Sequence, residues 1–396
     1  MTKKRLPIIL AAAIVTIASL FAFSPVCAAE ESVEDRLDEE VRDKLDDLDY
    51  SALEQWFDSL DEEYRQSLGG DFESAVNALL AGEYGGDISD FFSLLLDSVA
   101  GVVTGVLPSL VTIFAVAILY SIVSGMSSSF LKKQTVDLIG FVCYAAMVAV
   151  ALARVVAVVK TGTETINSLA SLMNAAFPVM LTLLTALGGV SATAAYSPMM
   201  AFLSGGVAAA ITGVVIPLFI AATALGVVGH LSSGVRLGRL QGFFTSAAKT
   251  ILAALFGLFV TVLTVKGLSG SLADGISLKT AKFAVQSYIP LLGGYLSDGF
   301  DVVLASVVLI KNSAGAVIAM MTVAAIAIPV IEIAVTSLGF KLVGGLIEPF
   351  SDGRFGGMLS SLSKNMSLIA EAVIGVGVAF IITVMLIVVS CNSGVV

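Results

Sequence analysis

The chain has 396 residues, 57% of them hydrophobic and 13% charged, where soluble domains carry roughly 25% charged residues. Its mean hydropathy of +0.98 argues against an ordinary soluble enzyme and for an all-α, polytopic membrane protein, because several apolar runs reach bilayer-crossing length. The net charge of −10 hides three blocks: +3 over residues 1–29, −18 over residues 30–97 and +5 over residues 98–396. The acidic block repels polyphosphate, so no nucleic-acid partner is expected there.

Residues 1–29 read as a signal peptide. Lys3, Lys4 and Arg5 precede the apolar run Ile8 to Phe23, and Ser24 to Ala29 supplies a small-residue cleavage site. Residue 30 onward is then expected outside the cytoplasm.

Residues 30–86 form an acidic, helical, extracytoplasmic segment. Val33, Leu37, Val41, Leu45 and Leu48, then Leu53, Trp56, Leu60, Tyr64 and Leu68, recur at helical spacing along one narrow stripe. Ser51-Ala52-Leu53-Glu54 has the pattern of a capping box, so a helix is expected to start near Ser51. Gly69-Gly70 should end it, and Asp71 can cap the next, which stops at Gly82. The stripe suits either a hairpin packed on itself or a docking surface for another extracytoplasmic protein.

Residues 87–396 form a multi-span membrane domain. Apolar spans are expected at 107–124, 138–159, 174–192, 199–229, 248–266, 314–335 and 368–391. The segment 199–229 is long and holds Gly205-Gly206, Gly213 and Pro217, which would let it break or re-enter. Two crossings here place seven basic residues inside against five outside; one crossing gives six against six. The count leans to two. Residues 88–103, 267–311 and 336–365 mix charge, glycine and proline with apolar residues and are expected at the interface rather than across the bilayer.

Ionisable residues within spans are the default functional candidates, since a charge in lipid is costly. Arg154 comes late in its span and can snorkel to the headgroups. Glu332 follows Pro329 in mid-span, where it suits a relay or an interhelical hydrogen bond. Glu371 is placed one turn into the last span. His230 is expected at an interface. The three cysteines, Cys27, Cys143 and Cys391, have no CxxC spacing, and His230 has no neighbouring ligand, so neither a metal nor a disulfide framework is expected. Walker A, HExxH and GxSxG motifs are missing, which argues against an enzyme and leaves no cofactor to assign. Gly101-x-x-x-Gly105 and the small residues of 186–229 suit tight bundling or homo-oligomerisation.

The run Asp274-Gly-Ile-Ser-Leu-Lys279-Thr-Ala-Lys282-Phe283, followed by Tyr288-Ile-Pro290, Leu309-Ile-Lys311-Asn312 and Glu348-Pro349, resembles the stage III sporulation protein AE family. Phe177-Pro-Val-Met-Leu-Thr-Leu-Leu184 and Gly188-Gly189 fit the same pattern. The resemblance covers about 90–396. It implies a non-enzymatic subunit of the stage III sporulation A assembly, a secretion-like channel between mother cell and engulfed forespore. Implied partners are the sibling proteins AA to AH and stage II sporulation protein Q on the forespore side. The implied location is the mother-cell membrane around the forespore. It carries over no catalytic residues. The alternative is a stand-alone transporter of a small solute or ion through Glu332 and the 199–229 element. The segment 274–312, with Asp274, Lys279, Lys282 and Lys311, is the expected conduit or docking element, or else an amphipathic connector whose lysines hold headgroups.

Overall fold

The computed structural model describes residues 48–60, 62–81, 88–125, 133–231, 237–288, 293–350 and 353–390, with backbone alone over some stretches, chiefly 88–97, 264–288 and 293–302. The expected signal peptide, the first part of the acidic segment, Cys27 and Cys391 lie outside these residues. No strand occurs among the described residues.

Three short helices come first: α1 (Ser51–Asp58), α2 (Glu62–Ser67) and α3 (Phe72–Leu80). The capping box expected at Ser51 does not form. Tyr50 holds the cap position without a side-chain bond. Ser51 instead donates its N–H and hydroxyl to Asp49 Oδ1, at 3.2 and 2.6 Å. The single helix expected over 51–68 is two, α1 and α2. Gly69 and Gly70 do terminate it, at φ 113 and 90. The Gly70 N–H bonds Arg65 O at 2.8 Å, the six-to-one closure of a Schellman turn. Asp71 caps α3 as expected, accepting from the Ser74 N–H at 2.6 Å. Leu53, Trp56, Phe57, Phe72, Ala75 and Val76 are buried, so this group shares the core of the body below.

The body is built from very long helices: α4 (Ile88–Gly125), α5 (Lys133–Ala186), α6 (Val190–Ala201), α7 (Ile216–Leu231), α8 (Gly238–Tyr288), α9 (Gly293–Ile347) and α10 (Arg354–Val389). Among the described residues, six stretches are long and apolar enough to cross a membrane, where seven spans were expected. The spans expected at 138–159 and 174–192 share one helix. Between them Lys160, Glu164, Asn167 and Ser171 face outward, and Ile166, Leu169, Leu172 and Met173 keep the buried stripe in phase. Residues 88–103 are not a separate interfacial helix but the start of α4. Residues 336–347 continue α9, and residues 354–365 begin α10.

The 199–229 element neither breaks nor re-enters. Between α6 and α7 the chain widens into two π turns, Phe202–Val207 and Ile211–Val215, with Ala208–Ala210 between them. Wider turns absorb the glycines without releasing the backbone from helix. One end meets the last turn of α10, where the Tyr196 hydroxyl lies 3.1 Å from Ser390 Oγ. The other meets the first half of α5, where Tyr144 donates to Val227 O at 2.7 Å. The segment therefore traverses the bundle once, against the lean from basic-residue counting.

Two ends of the bundle can be named from such contacts. At the near end Tyr120 and Tyr144 pack tilted against Phe355, with centroids 4.9 and 5.8 Å away. At the far end Tyr196, Lys311 and Ser390 meet. α9 and α10 are the central antiparallel pair, and a Cβ on Gly356 would fall 2.9 Å from the Gly344 carbonyl oxygen, so only glycine permits this backbone approach. At about 1.5 Å per residue the 54 residues of α5 run ~80 Å, well beyond a ~30 Å hydrocarbon core.

The outward face of α5 changes character along that length. Before Lys160 its exposed residues include Leu138, Phe141, Val142, Ala149, Ala153 and Val156. After Lys160 they include Glu164, Asn167, Ser171, Asn174, Pro178, Thr182 and Thr185. α1 docks beyond the change, through Trp56 Nε1 donating to Ser168 O at 3.1 Å.

Candidate functional site

The polar contacts between helices of the bundle fall into three groups. The first is Arg154, which does not snorkel. Its Nε donates to Ser109 Oγ at 2.6 Å and its Nη2 to the Gly105 carbonyl on α4. Pro108 lies inside α4, and a proline loosens the carbonyls one turn before it. The guanidinium meets backbone beside that proline, so it ties α4 to α5 there. Gly101 and Gly105 otherwise face open space, with nothing within 4 Å of an added Cβ, so this GxxxG packs no helix among the described residues.

The second group lies midway along the bundle. Glu332 of α9, half-buried, accepts from Thr161 Oγ1 of α5 at 3.2 Å, the interhelical hydrogen bond that was one of its two expected roles. Glu371 is not one turn into its helix, because α10 begins at Arg354. It sits mid-helix, 3.8 Å from Lys249 Nζ of α8. Lys249 escaped the sequence reading because it is hidden in the apolar run 248–266. Below this pair the α8–α10 seam continues with polar contacts. Thr245 Oγ1 donates to Asn365 Oδ1 at 3.2 Å, and Gln241 Nε2 donates to Ser361 Oγ. Ser337 of α9 donates to Ser363 O at 2.9 Å. His230, near the end of α7, gives its Nδ1 proton to Gly226 O at 2.6 Å, and its ring abuts Gly357. Asn365 Nδ2 and Thr223 Oγ1 are buried without a hydrogen-bond partner.

The third group is at the far end. Lys311 is fully buried, and its Nζ donates to Ser390 O at 2.5 Å. A cation over the last carbonyls of α10 meets the negative end of that helix. Lys311 therefore closes α10 rather than holding a lipid headgroup. The backbone of Asp274, Lys279 and Lys282 is helical within α8, and their side chains lie outside the described residues. Among the described candidates, Arg154 and Glu332 bond separate partners, Ser109 and Gly105 for the first and Thr161 for the second.

No group of three His, Cys, Asp or Glu residues that could hold a metal ion occurs among the described residues. A small apolar void lies beside the second π turn, lined by Ile166, Ile211, Val215, Phe219, Leu368 and Ile369. In the acidic helices, burial lifts the Glu54 carboxyl above the ordinary glutamate range, against the bond it accepts from the Glu73 N–H at 3.2 Å.

These helices define a multi-pass, all-α membrane protein. Residues 70–391 match the family described as Stage III sporulation protein AE, and the chain belongs to that family. It is similar to Stage III sporulation protein AE of Bacillus subtilis (strain 168), 27% identical over 262 residues, and the match takes in 66% of this chain and 66% of the relative. No solved structure matches it.

Proposed function

We propose that the chain is a non-enzymatic, multi-pass subunit of the stage III sporulation complex that links mother cell and forespore and that forespore development needs after engulfment. The carrying observation is membership of the family over 70–391, most of the membrane body. The helical architecture supports a scaffold or conduit role, since Arg154–Ser109, Thr161–Glu332 and Thr245–Asn365 are bonds from helix to helix. In this reading the chain sits in the mother-cell membrane around the forespore, with its acidic helices in the space between the two membranes. Its partners there are the sibling subunits of the complex and stage II sporulation protein Q.

Deleting the gene tests the reading. Sporulation is expected to stop after engulfment while vegetative growth is unchanged, and the full chain supplied in trans should restore spores. A growth defect in non-sporulating cells would favour a stand-alone transporter.

A further inference from the structure

Contacts between helices fix which helix ends meet. Tyr120, near the end of α4, and Tyr144, near the start of α5, pack on Phe355 in the first turn of α10. Tyr144 also bonds Val227 O near the end of α7. Gln241 in the first turns of α8 bonds Ser361, and Gly344 near the end of α9 abuts Gly356. The six long apolar stretches therefore pass alternately between the two ends of the bundle. An even number of passages puts both flanks of the body on one side. Residues 48–81, which precede α4 and dock on α5 through Trp56, share the far side with Ser390 at the end of α10.

The two sides differ in basic charge. The near-end connections and the turns beside them hold Lys132 and Lys133 between α4 and α5, Arg236 and Arg239 between α7 and α8, and Lys341 and Arg354 around the passage from α9 to α10. At the far end the turn 187–189 and the residues after Ser390 hold no charge. The far reach of α8 adds Lys266, Lys279 and Lys282, and Lys311 is buried. Lysine and arginine in short connections stay in the cytoplasm. Six against three marks the near end as the inner one. Basic-residue counting from sequence split α5 into two spans and 199–229 into two crossings. Correcting both shifts the parity twice, so the sides of the seven-against-five count return although both of its steps were wrong.

Two of these cations are set in apolar surface. Arg239 is exposed in the first turn of α8, beside exposed Leu240 and Phe243. Lys341 is exposed in the last two turns of α9, between exposed Leu338 and Leu342. Neither makes an ion pair among the described residues. Asp137 and Glu348 are the exposed acidic side chains described at this end. A long basic side chain rising from an apolar surface keeps its stem among lipid tails and its charge at headgroup level. We infer that the near end is the cytoplasmic face, that Arg239 and Lys341 hold anionic phospholipid headgroups of the inner leaflet, and that residues 48–81 and the end of α10 lie together on the outside. Each such cation near an anionic leaflet adds attraction. The inference needs only a membrane-spanning chain and does not rest on the sporulation reading.

Thiol labelling of the full chain in protoplasts tests the sides, in a background where Cys27, Cys143 and Cys391 are alanine. Asn77→Cys, exposed on α3, and a cysteine added after Val396 should react with an impermeant maleimide while the protoplasts are intact. Gly238→Cys and Glu348→Cys, both exposed at the near end, should react only after permeabilisation. Reaction of either near-end thiol in intact protoplasts, or silence of Asn77→Cys there, would overturn the orientation. A terminal cysteine on the side opposite Asn77→Cys would overturn the six passages. The headgroup contact is read on purified full chain in vesicles of phosphatidylglycerol and phosphatidylcholine in equal parts, with a spin-labelled form of each lipid as probe. The phosphatidylglycerol probe should be held about 5-fold more firmly, the factor for one basic residue at an anionic surface. Arg239→Gln with Lys341→Gln should bring the two probes level, whereas Arg239→Lys should keep the preference. Equal retention by the parent chain, or a preference that survives the double glutamine change, would overturn the contact. Sporulation phenotype plays no part in these readouts, so failure here and failure of the proposed function are separable.

Discussion

The two halves of α5 are one continuous helix with two different outer faces. Residues before Lys160 turn leucine, phenylalanine, valine and alanine outward, and residues after it turn asparagine, serine and threonine outward. The inner face changes far less: Met147, Ala151 and Val155 are buried in the first half, and Ile166, Leu169, Met173 and Met180 in the second. The core is thus one packing problem along the whole helix, and only the surroundings differ. A helix in lipid and a helix in water both need an apolar stripe toward their neighbours, and the outward residues alone record which medium lies outside.

The largest expected effect lies at the far end. Lys311→Glu would place a carboxylate against the Ser390 carbonyl in a fully buried site. Leaving a charge buried and unmatched costs about 3–5 kcal/mol, so the variant is expected not to accumulate in membranes. Lys311→Met keeps the bulk and removes the bond, and should accumulate at a reduced level. Equal amounts of both on an immunoblot would show that Lys311 does not close α10.

Trp56 tests the water-side half directly. Its ring is 8% exposed and its Nε1 proton is held by Ser168 O. Truncation to alanine should cost about 3–5 kcal/mol of docking, whereas Trp56→Phe should lose about 1 kcal/mol with the hydrogen bond. Limited proteolysis reads this as cleavage within residues 48–81 that is fast for alanine and slow for phenylalanine. Equal cleavage would mean that the short helices do not depend on this contact.

The comparison itself is tested by putting the same charge on each half. Ala149 and Asn174 both face outward on α5, on opposite sides of Lys160. Ala149→Lys should carry an insertion penalty of about 2.5–3.5 kcal/mol, and Asn174→Lys almost none. Membrane integration assays should separate the two. Similar integration would remove the boundary from Lys160.

Much of this architecture was legible in the sequence, for stated reasons. Hydropathy marks lipid exposure and tight packing alike, so the membrane-spanning class, the Asp71 cap and the Gly69-Gly70 stop were all readable. The merger of two spans into α5 was not, because the polar outer face between them lowers local hydropathy as a loop would. Only the inward period of Ile166, Leu169 and Met173 carried the signal. The single passage of 199–229 was hidden because glycine permits a re-entrant turn and a π turn equally. Among the candidate residues, Glu332 and Glu371 were visible as charges in spans. Their partners Thr161 and Lys249 come from helices distant in sequence, and nothing local marks such pairs. Asn365 and Gln241 were passed over because they fall outside the expected spans 368–391 and 248–266, where a neutral amide draws no attention until its partner is known.

The smallest expected effect concerns protonation on the water side. Burial raises the Glu54 carboxyl above its ordinary value, and the negative charges of Asp71 and Asp58 add to the shift. The folded form therefore holds its proton to higher pH than the unfolded form does. Below the unfolded pKa both are protonated and the site costs nothing. As pH rises through the window between the two values, ionisation favours the unfolded form, and stability is lost until the folded group ionises as well. Docking of the short helices should thus be slightly firmer at acidic than at neutral pH from this group. Glu54→Gln keeps an oxygen for the Glu73 N–H and cannot ionise, so it should remove that dependence and slow proteolysis of residues 48–81 a little at neutral pH. A Glu54→Gln chain that is cleaved faster than the parent at neutral pH would show that the carboxylate is held by its hydrogen bonds more strongly than burial opposes it.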